Sequence, residues 1–133
     1  MPSPTVRFLN PPALSTPPGY THVVEVTGGR TIYISGQVAL DKAGNVAGAA
    51  DFAVQTTQVF ENLKLALTAA GATFDNIVKA NMYVTDMSHI QVLREIRARY
   101  WGTNAPASTL VEVRRLARPE FMIEIEAIAV IAE

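Results

Sequence analysis

The chain has 133 residues, of which 49% are hydrophobic, and its 11 Lys and Arg residues nearly balance its 12 Asp and Glu residues. This length fits one domain, residues 1–133, which buries roughly two thirds of the surface of the unfolded chain. The near-neutral charge, without a basic cluster, argues against nucleic acid as a partner, and the absence of cysteine excludes disulfides, thiolate nucleophiles and zinc–sulfur sites.

No segment has the pattern of a secretory signal or of a membrane span. The first 13 residues lack a basic segment followed by an apolar core. No apolar run approaches the ~20 residues needed to cross a bilayer. We therefore expect a cytoplasmic protein without a membrane partner.

The N-terminal third predicts an extended arm followed by a β-hairpin. Residues 1–19 contain six of the eight prolines, which disfavour a helix. Residues 22–26 have the β-branched composition of a strand, Gly28-Gly29 indicates a turn, and residues 31–37 are predicted to be the second arm of the hairpin. A loop with glycines follows, which has room for one more short strand.

Two helices are predicted in the middle of the chain. Asp51 is a good N-cap for a long amphipathic helix, and Gly71 is placed to end that helix. The second helix is expected from about residue 89 to residue 101. Asp86 or Ser88 is placed to cap it.

Three further strands complete an α+β fold. Residues 77–84 have the apolar run of a buried strand, and Pro106 separates the second helix from two C-terminal strands. The economical arrangement is a mixed β-sheet with both helices packed on one face. Because the strands are rich in Val, Ile and Ala, the open face would be apolar, and we expect copies of the chain to cover it by oligomerisation.

The last strand carries two carboxylates on one side. Glu124 and Glu126 occupy alternate positions in the run IEIEAIAV of residues 123–130, so both point to the same face of the sheet. Their spacing allows two interpretations. Either they border a cleft, or they are solvated and pair with Arg114 across a hairpin formed by the last two strands.

The C-terminal region resembles the signature of the reactive intermediate deaminase family, also called Rid or YjgF. The likeness is carried by PASTLVEVRRL at residues 106–116 and by IEIEAIA at residues 123–129, and it extends from Tyr20 to Ile131. It implies a chorismate-mutase-like fold in which three copies pack their sheets into a trimeric barrel. It also implies that small-molecule substrates bind in clefts between the subunits.

The resemblance implies roles for residues on two strands. Glu124 would be the catalytic residue, positioning the water that attacks an imine carbon, whereas Glu126 would be structural. Ser35 and Gly36 match the family's S-G-Q strand end and would line the cleft, where glycine lets a ligand approach the backbone closely. A β-bulge would also favour glycine at this position.

One departure from the family pattern changes the expected substrate. Where most of the family's enzymes carry a substrate-binding arginine, this chain has Ser108, which cannot form a two-pronged ion pair with a carboxylate. Ser108 and Thr109 would contact the substrate, and Tyr20 would overhang it or pack over a loop for structural reasons. Arg94 could replace the lost charge; alternatively, it is a surface residue beside Glu95.

The remaining polar residues offer no other chemistry. His22 and His89 have no serine or metal-ligand partner at a recognised spacing, so we expect neither a catalytic triad nor a metal site. No cofactor is implied. We expect a homotrimeric hydrolase that deaminates a small imine, enamine or related metabolite other than a simple 2-imino acid. The alternatives are a regulatory or metabolite-binding trimer without turnover and a structural trimer.

Overall fold

Among residues 5–102 and 104–132, which the computed structural model describes, the strands form two sheets. One sheet pairs β1 with β2, and the other has the strand order β3-β6-β4-β5. In the larger sheet β4 and β5 are parallel and the other neighbours are antiparallel, so the sheet is mixed. The elements are, in chain order, β1 (Val6–Leu9), β2 (Val23–Val26), β3 (Arg30–Gln37), α1 (Phe52–Ala69), β4 (Ile77–Val84), α2 (Ile90–Ala98), β5 (Ala107–Glu112) and β6 (Ile123–Ile131).

Both predicted hairpins are wrong. Strand β2 pairs with β1 from the proline-rich arm and not with β3. Strand β5 runs parallel to β4, and β4 separates it from β6, so the last two strands are not neighbours. Arg114 therefore does not face Glu124 or Glu126 across a hairpin. The arm of residues 1–19 was predicted to be extended, and part of it forms the paired strand β1. Residues 1–4 of the arm lie outside the described residues.

The predicted ends of α1 are confirmed. The Asp51 carboxylate accepts a hydrogen bond from the backbone N–H of Val54 at 3.1 Å, which satisfies one of the free donors of the first turn. Gly71 directly follows the C-cap residue and has a φ of +78°, in the left-handed region where a side chain is strained.

The second helix is shorter than predicted. The side chain of Asp86 accepts a hydrogen bond from the backbone N–H of Ser88 and caps a short 3-10 turn that leads into α2. The α-helix ends at Ala98, so Trp101 lies beyond it. Among the described residues, neither helix is long and apolar enough to cross a membrane.

The helices cover one face of the larger sheet, as predicted. Helix α1 packs on β3 and β6, and α2 packs beside α1. The inward-facing side chains alternate along the central strands with outward-facing ones, as the pleat of a strand requires. The buried core they form with the helices includes Val59, Phe60, Leu63, Met82, Leu93, Ile123, Ile125 and Ala129.

The open face of this sheet is less apolar than predicted. Alternation directs most of the Ile, Ala and Met side chains of β4 and β6 under the helices. The opposite face carries Asn81, Glu124 and Glu126, together with the ring of Tyr33, which is 78% exposed. The face combines carboxylates and amides with aromatic surface, so it is polar enough to border a cleft.

Candidate active site

The predicted site residues fall into two groups at different places on the larger sheet. Ser35, Gly36 and Glu124 lie on the open face, where β3 meets β6. Beside the edge strand β5, a pocket of about 330 Å³ brings together four of the other predicted residues: Tyr20, Arg94, Ser108 and Thr109.

The carboxylate of Glu124 lies against the backbone of Gly36. The pairing of β3 with β6 shifts register between Ile34 and Gln37, so Gly36 lies in a bulge. A Cβ atom built on Gly36 would collide with Oε2 of Glu124 and would lie 2.8 Å from its carboxyl carbon. Gly36 therefore meets both expectations for glycine at this position: it lies in a β-bulge, and another group lies close to its backbone. In this chain that group is the carboxylate of Glu124.

Glu126 is held by hydrogen bonds within the sheet. Its Oε1 accepts bonds from the Tyr83 hydroxyl at 2.7 Å and from the Asn81 amide at 3.0 Å. The bond from Tyr83, and then that from Asn81, lowers the pKa of the Glu126 carboxyl, and the same contact raises the pKa of Tyr83. Glu124 differs: within residues 5–102 and 104–132 its carboxylate has neither a hydrogen-bond donor nor an ion-pair partner.

Ser108 and Thr109 point to different faces of β5. The parallel register places Ser108 beside Ala80, which is buried under the helices, so Ser108 points to the helix side. Thr109 lies beside Asn81, and its hydroxyl accepts a hydrogen bond from Nζ of Lys79 at 3.0 Å. The Ser108 pocket is therefore formed between the edge of the sheet and α2.

A residue that the sequence analysis did not select completes this pocket. Arg97 is only 7% exposed, and it lines the pocket together with Arg94 and Ser108. Burial lowers the pKa of its guanidinium, and the nearby charge of Arg94 lowers it further. A signal was present in the sequence: Arg97 follows Leu93 by four residues, which places it on the buried face of the amphipathic helix.

One chain does not bring the two groups together. Glu124 lies opposite Tyr83, which in turn lies beside Val111, three residues along β5 from Ser108. Two strand spacings and three residues along a strand separate the backbones of Glu124 and Ser108 by about 14 Å, and their side chains point to opposite faces.

The histidines do not line the pocket at Ser108, although the ring of His22 packs edge-to-face against that of Tyr20 at 5.3 Å between centroids. The ring of His22 contacts the carbonyl oxygen of Ser15 at 2.6 Å, and the ring of His89 stacks on Phe52 at 4.5 Å between centroids. Among the described residues no three His, Cys, Asp or Glu side chains are grouped to hold a metal ion.

Comparison with known proteins determines the family. A family model described as Endoribonuclease L-PSP matches residues 12–131. The chain belongs to this family, known as YjgF or Rid. The family resemblance seen in the sequence is thereby confirmed over residues 12–131.

Members of the YjgF/Rid family from distant organisms are similar in sequence and fold. A RutC family protein of Pyrococcus horikoshii is 39% identical over 105 residues, which cover 78% of this chain and 82% of the relative. The 2-iminobutanoate/2-iminopropanoate deaminase of Mus musculus is 38% identical, covering 84% of this chain and 80% of the relative. The crystal structure of a Rid family protein of unknown function from Yersinia pestis has a TM-score of 0.87 at 37% identity, covering 96% of this chain and 99% of that one.

Proposed function

We propose that the chain is a metal-independent hydrolase that deaminates a small imine or enamine in a cleft completed by a second copy of the chain. The observation that carries the proposal is the placement of the Glu124 carboxylate against Gly36 and beside the exposed Ser35, on an open sheet face. The similarity to a protein named 2-iminobutanoate/2-iminopropanoate deaminase supports the reaction class.

In the proposed reaction, water adds to the carbon of the C=N bond. Glu124 orients this water and accepts its proton, and the oxygen forms a bond to carbon to give a carbinolamine. The proton held by Glu124 passes to the nitrogen. The hydroxyl proton of the carbinolamine then also passes to the nitrogen as the C=O bond forms and the C–N bond breaks, so the products are a carbonyl compound and ammonia. The backbone around Gly36 and the hydroxyl of Ser35 hold the reacting group in place, so most of the rate enhancement comes from positioning.

Catalysis requires more than one copy of the chain in this proposal. The pocket at Ser108 lies on the helix side of the edge strand, whereas Glu124 is on the open face, about 14 Å away in the same chain. A second copy that presents its open face to the edge of the first would unite the two groups. We propose a homotrimer with three such clefts, in agreement with the assembly that the sequence resemblance implies.

We propose a substrate larger than the simple 2-imino acids, with any carboxylate held by residues other than Ser108, because the serine is small and uncharged. RNA is a poor alternative substrate for a chain with a net charge of −1 and no histidine pair placed for acid–base catalysis. A metabolite-binding trimer without turnover is distinguished from the enzyme by the measurement below.

The proposal is tested by ammonia release from imino acids that an amino-acid oxidase generates in the assay. The wild-type chain should accelerate the release for at least one substrate of a series with increasing side-chain length. Glu124→Gln should lower kcat/KM about 100-fold, because the neutral amide cannot accept the proton of the water. The matched control is Glu95→Gln on the exposed surface of α2, which should retain full activity.

Two results would contradict the proposal that the chain is an enzyme. One is a wild-type chain that binds the ketone products but accelerates none of the substrates, which would favour the binding protein. The other is a Glu124→Gln variant as active as the Glu95→Gln control, which would exclude Glu124 from the chemistry.

A further inference from the structure

A buried guanidinium lies beside Ser108 without an acidic partner. Arg97 is 7% exposed, and its only hydrogen bond within residues 5–102 and 104–132 goes from Nη2 to the carbonyl oxygen of Pro18, at a long 3.5 Å. No carboxylate of these residues lies within ion-pair distance of Arg97. Its other N–H donors have no protein acceptor among the described residues. Because none of its nitrogen atoms is both fully buried and unpaired, these donors remain open to the pocket or to solvent.

A second guanidinium adds to the positive charge. Arg94 precedes Arg97 by three residues, so both lie on the same side of α2. Both line the pocket that holds Tyr20 and Ser108, and Arg94 likewise has no carboxylate partner among the described residues. The pocket thus combines two guanidinium groups with the hydroxyl-bearing residues Tyr20, Ser108 and Thr109.

This arrangement is costly unless an anion completes it. A buried charge without a counterion loses much of its hydration, and arginine cannot escape the cost by releasing its proton at neutral pH. The repulsion between the two guanidinium groups adds to the cost. A carboxylate bound between the two guanidinium groups would offset both the lost hydration and the repulsion through charge-assisted hydrogen bonds.

We propose that Arg97, together with Arg94, binds a carboxylate group of the ligand in the pocket formed by α2, Tyr20 and Ser108. The inference rests on the proposed function for its choice of ligand, an imino acid or the corresponding keto acid. The small keto acid 2-oxobutanoate serves as the probe below because it carries the carboxylate and the carbonyl group without the larger side chain proposed for the substrate. It assigns the substrate-binding charge to the second helix, where it replaces the arginine that the family carries at the position of Ser108. The uncharged serine leaves room for the ligand between β5 and the helix.

A purely structural role for Arg97 predicts something different. Its guanidinium contacts the turn at Gly19, where a Cβ atom would lie 2.7 Å from Nη2, and its bond to Pro18 holds the same turn. If Arg97 only anchored this turn, its replacement would lower the thermal stability without a specific effect on anions. Binding must therefore be measured separately from stability.

The experiment is a calorimetric titration of the wild-type protein with 2-oxobutanoate, with 2-butanone as the uncharged analogue. We expect 2-oxobutanoate to bind and 2-butanone to bind at least tenfold more weakly. Arg97→Gln should weaken the binding of 2-oxobutanoate at least tenfold, and Arg94→Gln should weaken it less, because the more exposed charge is better screened. Arg99→Gln removes the same charge from an exposed position that does not line the pocket, and it should bind as the wild type does.

A second variant keeps the test valid if Arg97→Gln does not fold. Ser108→Asp introduces a carboxylate into the pocket from the β5 side. It should raise the melting temperature and abolish binding of 2-oxobutanoate, because the new carboxylate occupies the place of the ligand. Ser108→Asn, which is uncharged and of the same size, should do neither.

The proposal is overturned if a folded Arg97→Gln variant binds 2-oxobutanoate as tightly as Arg99→Gln, or if Ser108→Asp leaves the affinity unchanged. These outcomes are separate from those of the activity assay. Turnover that is insensitive to Arg97→Gln would refute the carboxylate site alone. If the chain binds 2-oxobutanoate through these arginines but shows no turnover, only the proposed enzymatic activity is refuted.

Discussion

At Gly36 the carboxylate of Glu124 occupies the space that a side chain would fill. The backbone bulge and the carboxylate thus fit one another, and the conformation of Glu124 depends on the residue opposite. The absence of a side chain at position 36 makes room for this carboxylate, which has no hydrogen-bond donor among the described residues.

Gly36→Ala should therefore destabilise the fold and displace Glu124. We expect a loss of about 2 kcal/mol in the free energy of unfolding, since the methyl group overlaps the carboxylate and its Cγ atom. Urea denaturation of the two single variants and of the double variant Gly36→Ala/Glu124→Ala measures the coupling. Removal of the glutamate side chain should recover at least about 1 kcal/mol. If the losses of unfolding free energy in the two single variants simply add in the double variant, the contact between residue 36 and Glu124 is not the cause of the destabilisation.

The residues of the site were accessible to sequence reasoning to different degrees. Alternation along a strand was sufficient to place Glu124 and Glu126 on one face, because this geometry is local. Arg97 was missed, although its spacing from Leu93 places it on the buried side of α2. Long charged side chains often extend from such positions to solvent, so only the packing of Pro18 and Gly19 over the guanidinium reveals that it is buried.

At the scale of elements, signals within the chain located the helices and strands but not their partners. The cap at Asp51 and the stop at Gly71 are local interactions, and both were predicted correctly. Strand pairing depends on contacts between distant segments. The turn at Gly28-Gly29 therefore suggested a hairpin, although β2 pairs with the arm of the chain and β3 pairs with β6.

Helix α1 is joined to the start of β6 by a buried glutamine. Gln55 is fully buried; its amide donates to the carbonyl oxygen of Glu120 at 2.6 Å and accepts from the N–H of Met122 at 2.9 Å. Gln55→Leu would leave both part-buried backbone groups without these partners, and we expect it to cost about 2 kcal/mol of unfolding free energy. Urea denaturation measures the loss, with Gln91→Leu at an exposed position of α2 as the control. Similar midpoints for the two variants would contradict the prediction.

At the scale of the whole molecule, the proposed cleft requires that the chain associate. Light scattering at micromolar concentration should give a mass of about 43 kDa, that of three chains of 14.4 kDa. A mass near that of a single chain would remove the cleft, and with it the proposed catalytic arrangement.

Mixed assemblies provide a sharper version of this test. Glu124→Gln and Arg97→Gln each damage a different half of the cleft. When the two variants are unfolded and refolded together, roughly a quarter of the clefts in randomly mixed trimers should receive both intact halves and regain activity. A mixture as inactive as its components would show that both residues act within one chain.

The separation of the two polar groups onto opposite faces of the sheet has a consequence for how such a protein acquires new ligands. In one chain, β4 and β6 lie between the pocket at Ser108 and the bulge at Gly36. A substitution in the pocket can therefore alter recognition without repacking the surroundings of Glu124. The chain can exchange the residue that holds the ligand while the reacting centre stays intact, so specificity and chemistry are free to evolve independently.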